Sequence, residues 1–253
     1  MQEEYWTNNI SFILVRPEFP GNIGSTCRVM KNFGFSDLRL VEAPKNYKDS
    51  EARMMAVGAF DVLKKAVLYN SLNEAIEDVN LTVATSSGRR RSRTLSNLSF
   101  MVNNIIELAR NNRVAIVFGH ERNGLRDDEL ALCNKKVRIE TQEEFPSMNL
   151  AQAVCAVAYA LNMGGRRNLI QPSEVKKVPE LPTIKETEEL LNQMSALVDN
   201  IEFSRSFNKG KVLTELKDAF ERMTPTKREC SLIKGVLFNL NKKFEVTNNG
   251  EDG

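Results

Sequence analysis

The chain has a single histidine, His120, which removes any metal site built on a histidine cluster and leaves a serine-hydrolase triad only one possible base. Its four cysteines, Cys27, Cys133, Cys155 and Cys230, lie far apart and form no C-x-x-C pair. They read as free thiols in a reducing compartment and argue against zinc. A strong charge imbalance is also missing. The net charge is +2, so a polyanion would have to meet a local patch rather than the whole surface. No apolar run approaches the roughly eighteen residues of a membrane span, and the N-terminal stretch to Asn8 is polar and acidic, so the expected location is cytoplasmic. A Gly-x-Gly-x-x-Gly loop and a Walker loop are both absent, so no motif points to a dinucleotide or a nucleoside triphosphate.

What is present is globular material: 42% of residues are hydrophobic, ample for a core. Ile10 to Val15 is a β-branched run that reads as a buried strand entering a loop at Arg16-Pro17 and Pro20-Gly21-Asn22. A helix is expected from Ile23 to Phe33, stopped by Gly34. Leu38 to Val41, Val67 to Tyr69, Leu81 to Thr85, Val114 to Phe118 and Val137 to Ile139 are further strands. Between them fall helical stretches within Asp49 to Leu63, from a Ser71-Leu72-Asn73-Glu74 capping box to Val79, from Leu98 to Arg110, and from Asp127 to Cys133. Leu150, Ala153, Val154, Val157, Ala158 and Leu161 recur at the three-and-four spacing of one helix face, behind the N-cap candidates Ser147 and Asn149. Ala151, Cys155 and Ala156 lie off that face and are not polar either, so this helix is expected to be buried nearly all round, within the core or between subunits.

Alternating strands and helices define an α/β protein with a mainly parallel sheet covered by helices on both faces. In such sheets ligands bind beyond the carboxyl ends of the strands, a rule that gathers four loops: Arg16 to Gly24, Thr85 to Arg93, Gly119 to Gly124 and Glu140 to Asn149. Arg89, Arg90, Arg91 and Arg93 follow a strand end and concentrate positive charge, which suits a phosphate backbone; a solvated loop is the plainer alternative. Arg28 stands six residues beyond Asn22 on the first helix, within reach of the loop end or simply solvated. His120 reads as structural, and Glu121 is open between structure and chemistry. The domain of residues 1–165 is followed by a linker over 166–182, marked by Pro172, Pro179 and Pro182. A helical extension with a polar tail from Asn241 occupies 183–253.

Three ordered motifs resemble those of the SpoU/TrmH class of the SPOUT methyltransferases: Val15 to Gly24 with Arg28, Ile116 to Leu125, and Pro146 to Val154. Thr85-Ser86-Ser87-Gly88-Arg89 and the helical extension are most similar to the TrmJ subfamily. The resemblance implies a homodimer with a deep trefoil knot that uses S-adenosylmethionine, needs no metal and methylates the ribose 2′-hydroxyl of nucleotide 32 in the tRNA anticodon loop. Ribosomal RNA, or RNA binding without catalysis, are its alternatives. It assigns cofactor binding to Thr85, Ser86, Ser87, Gly119, Ile139, Pro146, Ser147 and Met148, and the catalytic centre to Asn22, Arg28, Glu121, Ser147 and Asn149. RNA contacts fall to Arg16 and the arginines of 89–93. Arg28 is the class's proton acceptor, although a guanidinium is a poor base, and stabilising a developing alkoxide or clamping a phosphate carries equal weight. Pro146 and Met148 stand where the class commonly has Ser and Leu, which alters pocket walls more than chemistry.

Overall fold

Among the described residues the strands pair side by side, every pair parallel, into one seven-stranded sheet whose central members are the apolar runs. A computed structural model of the chain describes residues 5–87, 95–170, 178–201 and 209–248, which fall into two compact units, Met1–Val178 and Pro179–Gly253. The strands are β1 Ile10–Val15, β2 Asp37–Val41, β3 Val67–Tyr69, β4 Leu81–Thr85, β5 Leu95–Asn97, β6 Val114–Phe118 and β7 Lys135–Arg138, in the order β3-β2-β1-β6-β4-β7-β5. The helices of the first unit are α1 Pro20–Asn32, α2 Ser50–Met55, α3 Phe60–Lys65, α4 Leu72–Ile76, α5 Leu98–Ala109, α6 Asp127–Ala131 and α7 Leu150–Ile170. No described helix is long and apolar enough to cross a membrane.

Register puts Leu38, Phe12, Ile116 and Val83 in one row across the sheet, with Leu40, Leu14 and Phe118 in the next. These side chains point to one face and form a continuous core with Ile23, Cys27 and Met30 of α1, Ile105 and Ile106 of α5, and Val154, Val157 and Leu161 of α7. Phe12 stacks on Phe118 at 5.9 Å and meets Phe35 at 5.0 Å. Each such fully buried side chain contributes about 1.5–3 kcal/mol. Alternate residues face the other way. There Arg39 donates to the Ala75 carbonyl of α4, and Thr82 bonds the Leu132 carbonyl just beyond α6.

Several boundaries differ from expectation, each for a physical reason. Helix α1 begins at Pro20, not Ile23, because proline suits a first helical turn. Gly24 is required there for close packing: a side chain at that position would collide with the Ala52 carbonyl of α2. The Asp49 to Leu63 stretch splits into α2 and α3 around Gly58, which adopts φ +76°. Ser71 caps α4 through the Glu74 N–H, but the Glu74 carboxylate returns to the Asn70 N–H rather than to Ser71, and the helix ends at Ile76. Strand β7 starts two residues and ends one residue earlier than expected, leaving Ile139 outside it, while the edge strand β5 adds to the expected set.

Helix α7 continues through Gly164 and Gly165 to Ile170, past the point where a linker was expected to start. The two glycines let it close on Val102 and Ile106 of α5 and on Trp6. It is not buried all round in the single chain: Gln152 and Tyr159 are exposed, and Cys155 and Ala156 are half-buried. The second unit holds α8 Ile184–Asn200, α9 Lys209–Met223 and α10 Lys227–Asn248 around Leu190, Phe220, Cys230 and Leu237. Thr183 and Glu186 form a reciprocal capping box at the start of α8. Helix α10 runs on beyond Asn241, where a frayed tail was expected. Asn241 itself donates to the Gln193 carbonyl and accepts from Asn200.

Arg39 carries the main buried charge of the second sheet face, 3% exposed, and is held by Asp37 and Asp78. Burial alone would lower its pKa, but hydrogen bonds and charge from both carboxylates outweigh that and raise it. Burial likewise works against the Asp78 carboxylate, and Arg39 and Arg113 outweigh it, holding Asp78 below the ordinary carboxylate value. A depressed carboxylate stabilises the fold above its unfolded pKa of about 3.9, and that stabilisation is lost as pH falls through the folded value. Asp78→Asn should therefore cost about 2 kcal/mol in urea unfolding at neutral pH, a figure discounted for the half-exposed carboxylate. The gap from the parent protein should shrink as the pH is taken down toward about 3.

Candidate active site

The carboxyl ends of β4, β6 and β7 open into a cleft of about 420 Å³. Its walls are the residues after β4 (Thr85, Ser86, Ser87), the turn after β6 (Gly119 to Leu125), Ile139, and Pro146, Ser147 and Met148 ahead of α7. All eight residues assigned above to the cofactor thus border one cavity, whose volume lies in the range of small-molecule sites. The strand ends are fixed locally: Thr85 donates its hydroxyl to the Val117 carbonyl at 3.0 Å, and the Ser86 N–H reaches the Val137 carbonyl at 2.9 Å. The turn after β6 closes on itself through the Gly124 N–H and the His120 carbonyl at 2.8 Å, with Gly124 at φ +66°. Gly119 has no room for a side chain, because a Cβ would strike the backbone of Gly124 and Leu125.

At the rim, three segments distant in sequence are tied by side-chain hydrogen bonds. Asn149 caps α7: its Oδ1 accepts from the Ala151 N–H at 2.9 Å and the Gln152 N–H at 3.4 Å. Backbone N–H groups can only donate, so this amide's oxygen is fixed and its Nδ2 must be the donor toward Asn22 Oδ1, 3.0 Å away. The Asn22 Nδ2 then donates to Glu121 Oε1 at 2.9 Å. Glu121 also accepts from the backbone of the first loop, from the Glu18 N–H at 2.9 Å and the Phe19 N–H at 3.4 Å. The chain of polarity from the α7 N-terminus to the carboxylate is thereby set in one direction.

Asn22, Glu121 and Asn149, expected at a catalytic centre, are brought into this relay, and Ser147 borders the cleft with its side chain exposed. Ser147 does not cap the helix; Asn149 alone does. Arg28 is exposed on α1 and is not among the residues lining the cleft of its own chain. Arg89, Arg90, Arg91 and Arg93 lie outside the described residues. Arg16, expected to contact RNA, turns inward to Glu129 and the Gly124 carbonyl.

Sequence patterning does not single out Glu18, which pairs with Arg122 at 2.9 Å and faces His120 Nε2 at 3.6 Å. Its position in the first loop, between two prolines and ahead of a helix, is the only signal that could have found it. Glu18, His120 and Glu121 bring potential ligand atoms within 4.8 Å of one another; both Glu121 oxygens and Glu18 Oε1 already accept from Asn22, backbone N–H groups and Arg122, while Glu18 Oε2 is buried without a hydrogen-bond partner and faces His120 Nε2. Burial pushes the Cys27 and Cys133 thiols up to about 12, which leaves them protonated at neutral pH and unreactive.

A parallel α/β sheet whose cleft sits past the strand ends, walled by a glycine that admits no side chain and rimmed by an oriented amide relay, defines a ligand-binding α/β protein equipped for positioning chemistry. The chain belongs to the SpoU rRNA Methylase family, whose model matches residues 9–159. It is 33% identical over 250 residues to the tRNA (cytidine/uridine-2′-O-)-methyltransferase TrmJ of Yersinia pestis strain Pestoides F, covering 96% of this chain and 95% of that protein. It is 36% identical to the tRNA (cytidine-2′-O-)-methyltransferase TrmJ of Methanocaldococcus jannaschii over 91% of each chain. The crystal structure of TrmJ from Z. mobilis ZM4 superposes with a TM-score of 0.74 at 28% identity, covering 91% of this chain and 98% of that one.

The relay makes a direct prediction. Asn22→Asp sets a second carboxylate against Glu121, and two like charges at this distance raise the pKa of one of them. The folded state then binds more protons than the unfolded chain, so stability should fall by about 2 kcal/mol at pH 8 and recover as the pH drops toward 5. Denaturant unfolding of the variant across that range measures it.

Proposed function

We propose that this chain transfers a methyl group from S-adenosylmethionine to the ribose 2′-hydroxyl of a pyrimidine nucleotide in tRNA, in the cytoplasm, with nucleotide 32 of the anticodon loop as its target. The observation that carries this reading is the meeting of Asn22, Glu121 and Asn149 beside a cleft lined by Thr85, Ser86, Ser87, Gly119, Ile139, Pro146, Ser147 and Met148. The donor set fits the cofactor: Gly119 and the strand ends offer backbone polar groups at close approach, and Leu125, Leu130, Met148 and Leu150 offer apolar surface for a ring. S-adenosylmethionine supplies the electrophilic methyl group. The protein's task is to bring a hydroxyl into line with it, and positioning of this kind removes a large part of a bimolecular barrier.

In this reading Ser147 and Asn149 orient the ribose hydroxyl, and the Glu121–Asn22 pair keeps Asn149 in place. Arg28 accepts the proton or steadies the developing alkoxide. We also assign the chain a homodimer in which a second copy covers the outward stripe of α7, Gln152, Cys155, Ala156 and Tyr159. A trefoil knot belongs to the same proposal. It is supported by the placement of β7 between β4 and β5, two strands joined directly by residues 86–94, and by the return of α7 to pack on α1 and α5.

Purified protein should label tRNA, and not ribosomal RNA, from methyl-tritiated S-adenosylmethionine, with the label on a pyrimidine 2′-oxygen. No incorporation into either RNA refutes the enzyme, and incorporation into ribosomal RNA alone refutes the substrate. Arg28→Ala should lower turnover at least about a hundredfold with cofactor affinity within about twofold, since losing a group that acts on the transition state leaves ground-state binding in place. Arg89→Glu combined with Arg91→Glu should weaken tRNA binding and flatten its dependence on salt, because a protein that neutralises fewer phosphates displaces fewer counterions when it binds. An unchanged salt slope returns these arginines to an ordinary solvated loop.

A further inference from the structure

Arg16 does not have the surroundings of a residue waiting for RNA. It follows the last residue of β1 at φ +52°, a left-handed conformation uncommon for a side chain of this size, and its N–H still completes the sheet by bonding the Val41 carbonyl at 2.8 Å. Its side chain is only 13% exposed. Nη2 donates to Glu129 Oε2 at 3.1 Å and to the Gly124 carbonyl at 3.4 Å, and Glu129, itself buried at the start of α6, also accepts from the Arg126 N–H at 2.6 Å. Burial and the nearby Arg126 press against the guanidinium's charge, while Glu42 and Asp128 favour it.

Two attachments therefore join the same pair of segments. The side chain of Arg16 grips Gly124 and Glu129, and the backbone two and three residues later gives its N–H groups to Glu121. Gly124 is also the residue that leaves Gly119 no space for a side chain, so holding Gly124 sets the cleft wall as well as the carboxylate. From this geometry we infer that Arg16, clamped by Glu129, is a positioning residue that locks the turn after β6 against the loop after β1, and so holds Glu121 for the Asn22–Asn149 relay. The inference rests on the methyltransferase reading for its effect on turnover, but not for its structural content.

The test uses the full-length protein with Arg16→Met, which keeps side-chain length, and Arg16→Gly, which relieves the backbone conformation while removing the clamp. Both should lower kcat for tRNA methylation at least about tenfold, with the KM for tRNA and the salt dependence of binding within about twofold of the parent. Amide hydrogen exchange across residues 119–125 should quicken at least about tenfold, with protection of β1 and β6 unchanged. Should neither variant fold, Glu129→Gln is expected to give the same pattern at smaller amplitude. Unchanged kcat, unchanged exchange in the turn, or a loss confined to KM and the salt slope would each overturn the inference, the last by making Arg16 an RNA contact. If the parent protein proves unable to methylate tRNA, the functional reading fails alone, and the exchange measurement still decides the role of Arg16.

Discussion

A carboxylate that receives two backbone N–H groups and a side-chain amide at once has few places it can go, and Glu121 is in that position. Each donor comes from the segment between β1 and the first turn of α1, while Glu121 belongs to the turn after β6. Because β1 and β6 are neighbours in the sheet, the two loops leave the same edge of the molecule side by side, and the carboxylate joins them. Charge-assisted bonds of this kind are about twice as strong as neutral ones, and here they serve relative placement rather than burial.

The placement propagates. Glu121 fixes the amide of Asn22, Asn22 meets Asn149, and Asn149 caps the 21-residue helix α7, so the N-terminus of the longest helix of the first unit is located by a turn some thirty residues upstream. Behind the cap, α7 packs on α1 and α5 through the shared core, and glycines at positions 164 and 165 let it approach closely. A site built this way has its polar groups on loops and its rigidity in the elements those loops begin and end, which suits chemistry that depends on holding two reactants in line.

Much of this was legible in the residues. The compact β-branched runs of Ile10 to Val15 and Val114 to Phe118, and the period near 3.6 in Leu150 to Leu161, identify the central strands and the closing helix. The rule that α/β ligands gather past strand ends groups loops that the structure brings to one cleft and its rim. Four things were not legible, each for its own reason. Pro20 and Gly21 have turn chemistry, yet they open a helix, because a proline in a first turn and a glycine against α2 are judged by what lies across from them. The linker expected from residue 166 begins as helix through Ile170, and Gly164 and Gly165 just before it are contact points, since local propensity yields to close helix packing. Arg16 sits among loop residues suited to phosphate, but its fate depends on Glu129, more than a hundred residues away, and no spacing reveals such a partner. The order β4-β7-β5, which threads a late strand between two consecutive ones, is likewise a matter of topology that hydrophobic patterning does not encode.

The Glu121–Asn22–Asn149 relay ties three sequence motifs into one unit. A double-mutant cycle on kcat for tRNA methylation, with Asn22→Ala, Asn149→Ala and the pair, measures that unity most directly. Strong non-additivity is expected: the double variant should lose little more than either single one, a coupling of at least about 1 kcal/mol. Losses that simply add would mean the two residues work independently, and the relay would then be a feature of packing with no part in the chemistry.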